Sequence, residues 1–384
     1  MAAQVRSLAA KSRQSARTPQ STPKSLTVAT PAYASILKTA RKVEGALVRD
    51  AQGGERVDFR NGDGCVLLGW GDPRVEAAVA RTPATCSGRL ESEAAERVGD
   101  LIPSAEAVGF RASLESALVD ALVAAKTVTG RDGAFFCDDE TAVSGDISAL
   151  HDALDRHLGE VAALVIRPMD SPREFLLGAR SLTDRTGVVL IFDESRTAFR
   201  VDLGGAQTLA GVKPDMTVLG SSLANGRPIA AVCGKLEPMS ALTSTGDIVT
   251  AAALAATCAT LDRVVRDDVP DVLRVRGAEI EAEVEARLDA TGATEWLSIY
   301  GDPTWSLICA RPRSGFDGKA VEDALASALY HEGILSFGAH VPSLATREGA
   351  VTRLLKAYDD VLPGIVARCQ DGEFVRARRR SVAA

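Results

Sequence analysis

Two stretches of unbroken apolar character, 161–166 (VAALVI) and 188–192 (VVLIF), stand out along the chain. Runs of this length without polar alternation are what strands covered on both faces require, and they predict neighbours in a buried parallel sheet. From about residue 104 to 245, strand-like runs alternate with segments whose apolar residues recur at helical spacing, the pattern of an α/β layer structure. Upstream, 45–50 and 53–59 alternate around Gly53-Gly54 and predict a hairpin. Asp72-Pro73 supplies an N-cap and a first-turn proline for a helix. Downstream, the Ala-rich 251–261 and the periodic 272–288 predict helices. Beyond them, a strand at 306–310 mixes with helices at 320–330 and 346–362. The whole predicts a large α/β domain over 76–290. A smaller domain is built from both flanks, 29–75 and 291–375.

The ends differ from this body. Residues 1–28 are rich in Ser, Thr, Ala, Pro and Gln, carry Arg6, Lys11, Arg13, Arg17 and Lys24, and precede the first acid, Glu44. Too little apolar surface is available there to offset chain entropy, so a disordered basic arm is expected. The same acid-free composition suits an organellar transit peptide, which leaves an organelle as the alternative to a cytoplasmic location. Residues 376–384 form a short basic tail. With 384 residues, 46% hydrophobic and 25% charged, the chain has ample material for a large core. A net charge of −7 provides no overall field for nucleic acid, and no apolar run approaches a membrane span, so neither is expected as a partner. The 7 cysteines are scattered without a CxxC pair and read as reduced thiols. His151 and His157 would face different sides of a helix, and no metal site is expected.

The segment 187–234 carries the sharpest signature. An apolar run ends in Phe192-Asp193-Glu194. Gly204-Gly205, Lys213-Pro214-Asp215, Leu219-Gly220 and Gly226-Arg227-Pro228 follow in order. This resembles the core of the class III aminotransferases, and most of all the glutamate-1-semialdehyde aminomutases. Further blocks extend the likeness from about residue 40 to 365, among them Val108-Gly109-Phe110-Arg111, Lys126-Thr127-Val128-Thr129-Gly130 and Gly333-Ile334-Leu335-Ser336. The resemblance implies the α/β PLP-dependent transferase fold type I (aspartate aminotransferase-like), with a mostly parallel large-domain sheet and a small α+β domain. It also implies pyridoxal phosphate (PLP) as cofactor and a homodimer.

Chemistry with that cofactor needs a lysine amine for the Schiff base, a carboxylate at the pyridine nitrogen, amides and hydroxyls around the phosphate, and an aromatic ring on the pyridine. By resemblance, Asp193 stands at the pyridine-nitrogen position. The Schiff-base lysine would follow Leu219-Gly220, where this chain has Ser221, which cannot form an imine. The phosphate loop corresponds to Ser113, Leu114 and Glu115: the family's glycine becomes Leu114 and its threonine becomes Glu115. A carboxylate beside a phosphate dianion is repulsive. Thr141 falls where the stacking aromatic is expected. Arg167 replaces the carboxylate that follows the next strand, and the excursion before it is short. Gly246 aligns near the family's partner-subunit phosphate contact. Lys213 and Lys235, the nearest lysines, are not expected to reach the position of Ser221.

No catalytic residue is therefore assigned. The reading is a catalytically inactive homologue with a binding, regulatory or assembly role, in which PLP is not bound tightly. The alternative is a divergent PLP- or pyridoxamine-phosphate-dependent aminotransferase or aminomutase acting on an amino acid or amino sugar. An assembly role would include a heterodimer with an intact aminotransferase.

Overall fold

The computed structural model describes residues 33–50, 53–83, 88–137, 145–242 and 248–375. The arm 1–28, the tail 376–384, Thr141 and Gly246 lie outside the described residues. The strands are β1 (Lys42–Glu44), β2 (Leu47–Arg49), β3 (Glu55–Asp58), β4 (Ala107–Arg111), β5 (Gly133–Cys137), β6 (Val161–Ile166), β7 (Val189–Glu194), β8 (Met216–Leu219), β9 (Ala230–Gly234), β10 (Leu297–Asp302), β11 (Trp305–Ala310), β12 (Ile334–Leu335) and β13 (Ala339–His340).

The central layer is a six-stranded sheet in the order β4-β9-β8-β7-β6-β5. β5, β6, β7 and β8 run parallel, and β9 is antiparallel to both of its neighbours. Every residue of β6 and β8 is buried. Helices cover both faces and leave no solvent side, which accounts for the uninterrupted apolar sequence of β6; in β8 the polar Thr217 is buried and hydrogen-bonded to Ser104 and Gln207. The crossover helices carry local signals at both ends. Ser113 and Asp146 cap the helices Leu114–Thr129 and Ile147–Arg156. Gly130 and Gly187 end their helices in the left-handed conformation that a β-carbon disfavours.

Strands from both chain ends meet in a second sheet, β1-β2-β3-β12, where β12 lies parallel to β3. A third sheet, β10-β11-β13, is antiparallel. The long helix Val269–Thr291 links the six-stranded layer to it. At Gly277 this helix touches the turn between β10 and β11, and a β-carbon there would collide with the Pro303 carbonyl. Glycine is the residue that permits this approach.

One expected boundary is corrected. The helix predicted over 346–362 stops before Pro363, whereas the structure carries it over Glu348–Gln370 with Pro363 inside. An interior proline costs about 3 kcal/mol. Leu362, Ile365, Val366 and Cys369 continue the buried face across the break, and their burial offsets that cost. No helix among the described residues is long and apolar enough to cross a membrane.

Candidate functional site

The parallel strands set the geometry. Ile166 of β6 is paired with Phe192 of β7, so the residues that follow, Arg167 and Asp193, stand side by side at the C-terminal edge of the sheet. This edge is where ligands bind in open α/β sheets. The side chains meet: Arg167 Nε lies 3.6 Å from Asp193 Oδ2, with Asp193 mostly buried and Arg167 40% exposed. Asp193 Oδ1 also accepts the Ser195 backbone N–H at 3.0 Å.

Ser221 opens a 3₁₀ turn, Ser221–Ala224, directly beyond β8. β8 pairs with β7 up to Leu219 and Glu194, which puts this turn at the same edge as Asp193. Gly220 presses against the chain here, since a β-carbon on it would come within 2.6 Å of Ser195 Cβ. Lys213 and Lys235 flank β8 and β9 at the opposite edge. Lys235 ion-pairs there with Asp215 at 2.6 Å. No lysine lines the cleft around Asp193 among the described residues.

Ser113, Leu114 and Glu115 also reach the C-terminal edge, because β4 is parallel to β8 across the antiparallel β9. They stand three strands from β7, roughly 14 Å away at the ~4.8 Å strand spacing. Ser113 Oγ accepts the Ser116 N–H at 3.1 Å, so the helix start caps itself, while Glu115 points to solvent. The structure thus brings Asp193 and Arg167 into contact and leaves Leu114 and Glu115 off that cleft. Thr141 and Gly246, the remaining predicted positions, lie outside the described residues.

The cleft over Asp193 has a volume of about 680 Å³. Its far wall comes from segments that sequence reasoning did not single out. Glu281 and Glu285, on the Val269–Thr291 helix, face it beside Asp302 at the end of β10. Burial, and then the neighbouring Asp302 and Glu285, hold the Glu281 carboxyl above its ordinary range. Asp302 Oδ1 closes its own turn by accepting Thr304 N at 2.8 Å and Thr304 Oγ1 at 2.6 Å. Arg196 stacks 5.2 Å from the Trp305 ring.

Arg200 forms the floor and is 1% exposed. Its guanidinium donates to the carbonyls of Gly64 at 2.9 Å, Pro342 at 3.0 Å and Thr304 at 3.2 Å, joining three distant chain segments. Burial lowers its pKa to about 10. Behind Asp193, the adjacent Glu194 is wholly buried and accepts from Thr197 Oγ1 at 2.5 Å, Ala206 N at 2.7 Å and Gln207 N at 2.9 Å. These wall and floor residues escaped sequence reasoning because their grouping is tertiary. Glu281 and Glu285 read locally as the polar face of a helix, and nothing near Arg200 in sequence announces carbonyls from positions 64, 304 and 342.

The model of the aminotransferase class-III family matches residues 138–296. The chain is 30% identical over 314 residues to a glutamate-1-semialdehyde 2,1-aminomutase of Polynucleobacter necessarius, a stretch covering 66% of this chain and 72% of that one. It is 27% identical over 356 residues to the protein of that name from Chlorobium limicola, covering 78% and 83% of the two chains. Among solved structures, the PLP internal aldimine form of the FumI protein of Sphingopyxis sp. MTA144 superimposes with a TM-score of 0.79 over 88% of this chain and 91% of that one. At 24% identity, that last likeness speaks to the fold alone.

Proposed function

The chain belongs to the class III aminotransferase family, and on that premise we propose that it is a member in which the scaffold serves binding or assembly and transamination has been given up. The observation that carries this reading is the contact between Arg167 and Asp193. In PLP chemistry a carboxylate at this strand end pairs with the protonated pyridine nitrogen. Here a guanidinium, which stays charged at every physiological pH, already stands beside that carboxylate. Two further features support the reading. Ser221 follows Leu219-Gly220 where a lysine would carry the aldimine. The helix start at Ser113 spends its hydroxyl on its own amide and adds the charge of Glu115, which opposes a phosphate.

The test is optical. Purified protein mixed with PLP is expected to show no absorbance band above roughly 400 nm that borohydride abolishes, since an imine needs a reachable amine. A borohydride-sensitive band, with a cofactor-modified peptide recovered by mass spectrometry, overturns the proposal.

A second reading draws support from Asp193 itself, which keeps its place at the end of β7. In that reading the chain takes pyridoxamine phosphate without a lysine and acts on an amino acid or amino sugar. Retention of pyridoxamine phosphate through gel filtration, lost on Asp193→Ala, would favour it. For the assembly role, we infer pairing with a second copy or with an intact aminotransferase. Co-purification from cells, followed by mass determination of the complex, separates the two.

A further inference from the structure

We propose that the cleft between the end of β7 and the β10–β11 hairpin binds a small dipolar ion with an alkylated nitrogen, an ammonium carboxylate of the betaine type. The inference rests on the reading that PLP does not occupy this cleft. It assigns the cleft a ligand that cannot form an imine at all.

The cleft has two poles of charge: Asp302 of one lies within Coulombic reach of Arg200 of the other, while Glu281 and Glu285 and, opposite them, Arg196 make no ion pair among the described residues. At the negative pole, Glu281, Glu285 and Asp302 converge from two elements. Like charges gathered at a half-buried wall repel, and a cation placed among them relieves that repulsion. Part of this wall is already committed to hydrogen bonds within the chain. Asp302 Oδ1 is spent on Thr304 N and Thr304 Oγ1. The Ser306 hydroxyl is hydrogen-bonded to Glu281. The oxygens that remain, those of Glu285 among them, supply negative field, and the character of the cation is set by the surface beside them. Tyr300, with 65% of its surface exposed, offers an aromatic ring beside this pole. Ile299, Pro303 and Leu307 add apolar surface. Methyl groups on a cationic nitrogen match that mixture of ring, hydrocarbon and negative field.

At the positive pole, Arg196 stacks on Trp305 and makes no ion pair among the described residues. Arg200 lies beneath it, 5.7 Å from the same ring, and its Nε finds no acceptor among the described residues. Arg167, by contrast, is taken by Asp193. Both poles meet one turn, with Asp302 and Trp305 paired directly across it. A short spacer between nitrogen and carboxylate therefore suffices, and the volume of about 680 Å³ lies in the range of small-molecule sites. A ligand carrying only one charge would leave the opposite pole desolvated and unpaired.

The experiment is titration calorimetry of the purified full chain with 4-(trimethylammonio)butanoate, beside its two halves, tetramethylammonium and butanoate. The dipolar ion is expected to bind with Kd below about 1 mM, and each half at least about tenfold more weakly. Glu285→Gln and Arg196→Met, both exposed and away from the core, should each weaken binding about tenfold with the thermal unfolding midpoint unchanged. Absence of heat at millimolar ligand, equal binding of either half, or tighter binding of unmethylated 4-aminobutanoate each overturns the assignment. The PLP spectrum is read separately on the same sample. A borohydride-sensitive aldimine band removes the reading beneath this inference whatever the calorimetry gives. No band and no heat leave that reading standing and sink this one.

Discussion

Asp193 and Glu194 are consecutive carboxylates on one strand, and they live in opposite surroundings. Side chains alternate across a strand, so one enters the cleft and the other turns into the layer behind it. Glu194 is wholly buried, and a hydroxyl, two backbone amides and the Gln207 side-chain amide close around it. Gly205 stays glycine because a β-carbon there would strike the Glu194 carboxylate, at a φ of +75° that side chains avoid. Asp193 keeps one backbone contact and faces a half-exposed arginine. The contrast teaches that scaffold and chemistry are separable within two adjacent residues. What positions the strand is a closed network, while what faces the cleft is a carboxylate paired with Arg167.

The sharpest way to break this comparison is to remove each carboxylate in turn. Glu194→Ala removes the acceptor of four buried donors, of which Gln207 Nε2 alone keeps another, Thr217 Oγ1, and three are orphaned. At about 1 kcal/mol or more per donor, the loss of stability should be on the order of 3–5 kcal/mol. Urea unfolding followed by circular dichroism measures it. A loss under about 1 kcal/mol would mean that the network around Glu194 is not what holds β7 to the Gly205 segment.

The second test concerns the packing behind the cleft wall. His340 is fully buried between Ser306 Oγ, 3.4 Å from Nδ1, and Tyr358 Oη, 2.9 Å from Nε2. Glu281 is hydrogen-bonded to that same Ser306 at the cleft surface. Burial pushes the pKa of His340 from 6.5 down to about 4. The unfolded chain therefore takes up a proton on this ring before the folded chain does. The stability conferred by the neutral ring is full above pH 6.5 and is lost as pH falls toward about 4. At about 1.4 kcal/mol per pH unit, the loss at the acid end approaches roughly 3 kcal/mol. His340→Gln should flatten that part of the stability–pH curve. Parallel curves for the two proteins would show that the ring titrates normally and that the wall behind the cleft is open to water.

These regions were not equally legible in the sequence. The buried strands announced themselves because a layer covered on both faces favours unbroken apolar runs, so VAALVI needed no tertiary knowledge. Asp193 and Arg167 were legible as neighbours of strand ends, but their contact follows from the β6–β7 register, which no local pattern encodes. The wall was not legible at all. Glu281 faces a cleft and not bulk solvent only because Gly277, one turn earlier, lets the helix touch Pro303. Pro363 misled in the other direction: a local breaker was overruled by the apolar face that continues to Cys369. Local chemistry was readable where one element decides it, and was hidden where two distant segments decide it together.

The smallest predicted effect is the most discriminating between the two carboxylates. Asp193→Ala removes an ion pair at 3.6 Å whose cation is 40% exposed. Solvent screens such a pair, and its contribution should fall below about 1 kcal/mol. Arg167→Leu should cost equally little, and the double variant should show a coupling energy no larger than about 0.5 kcal/mol in a double-mutant cycle. A coupling of several kcal/mol would instead mark the pair as a built lock on the strand ends. In that case Asp193 would belong with Glu194 on the scaffold side of the comparison.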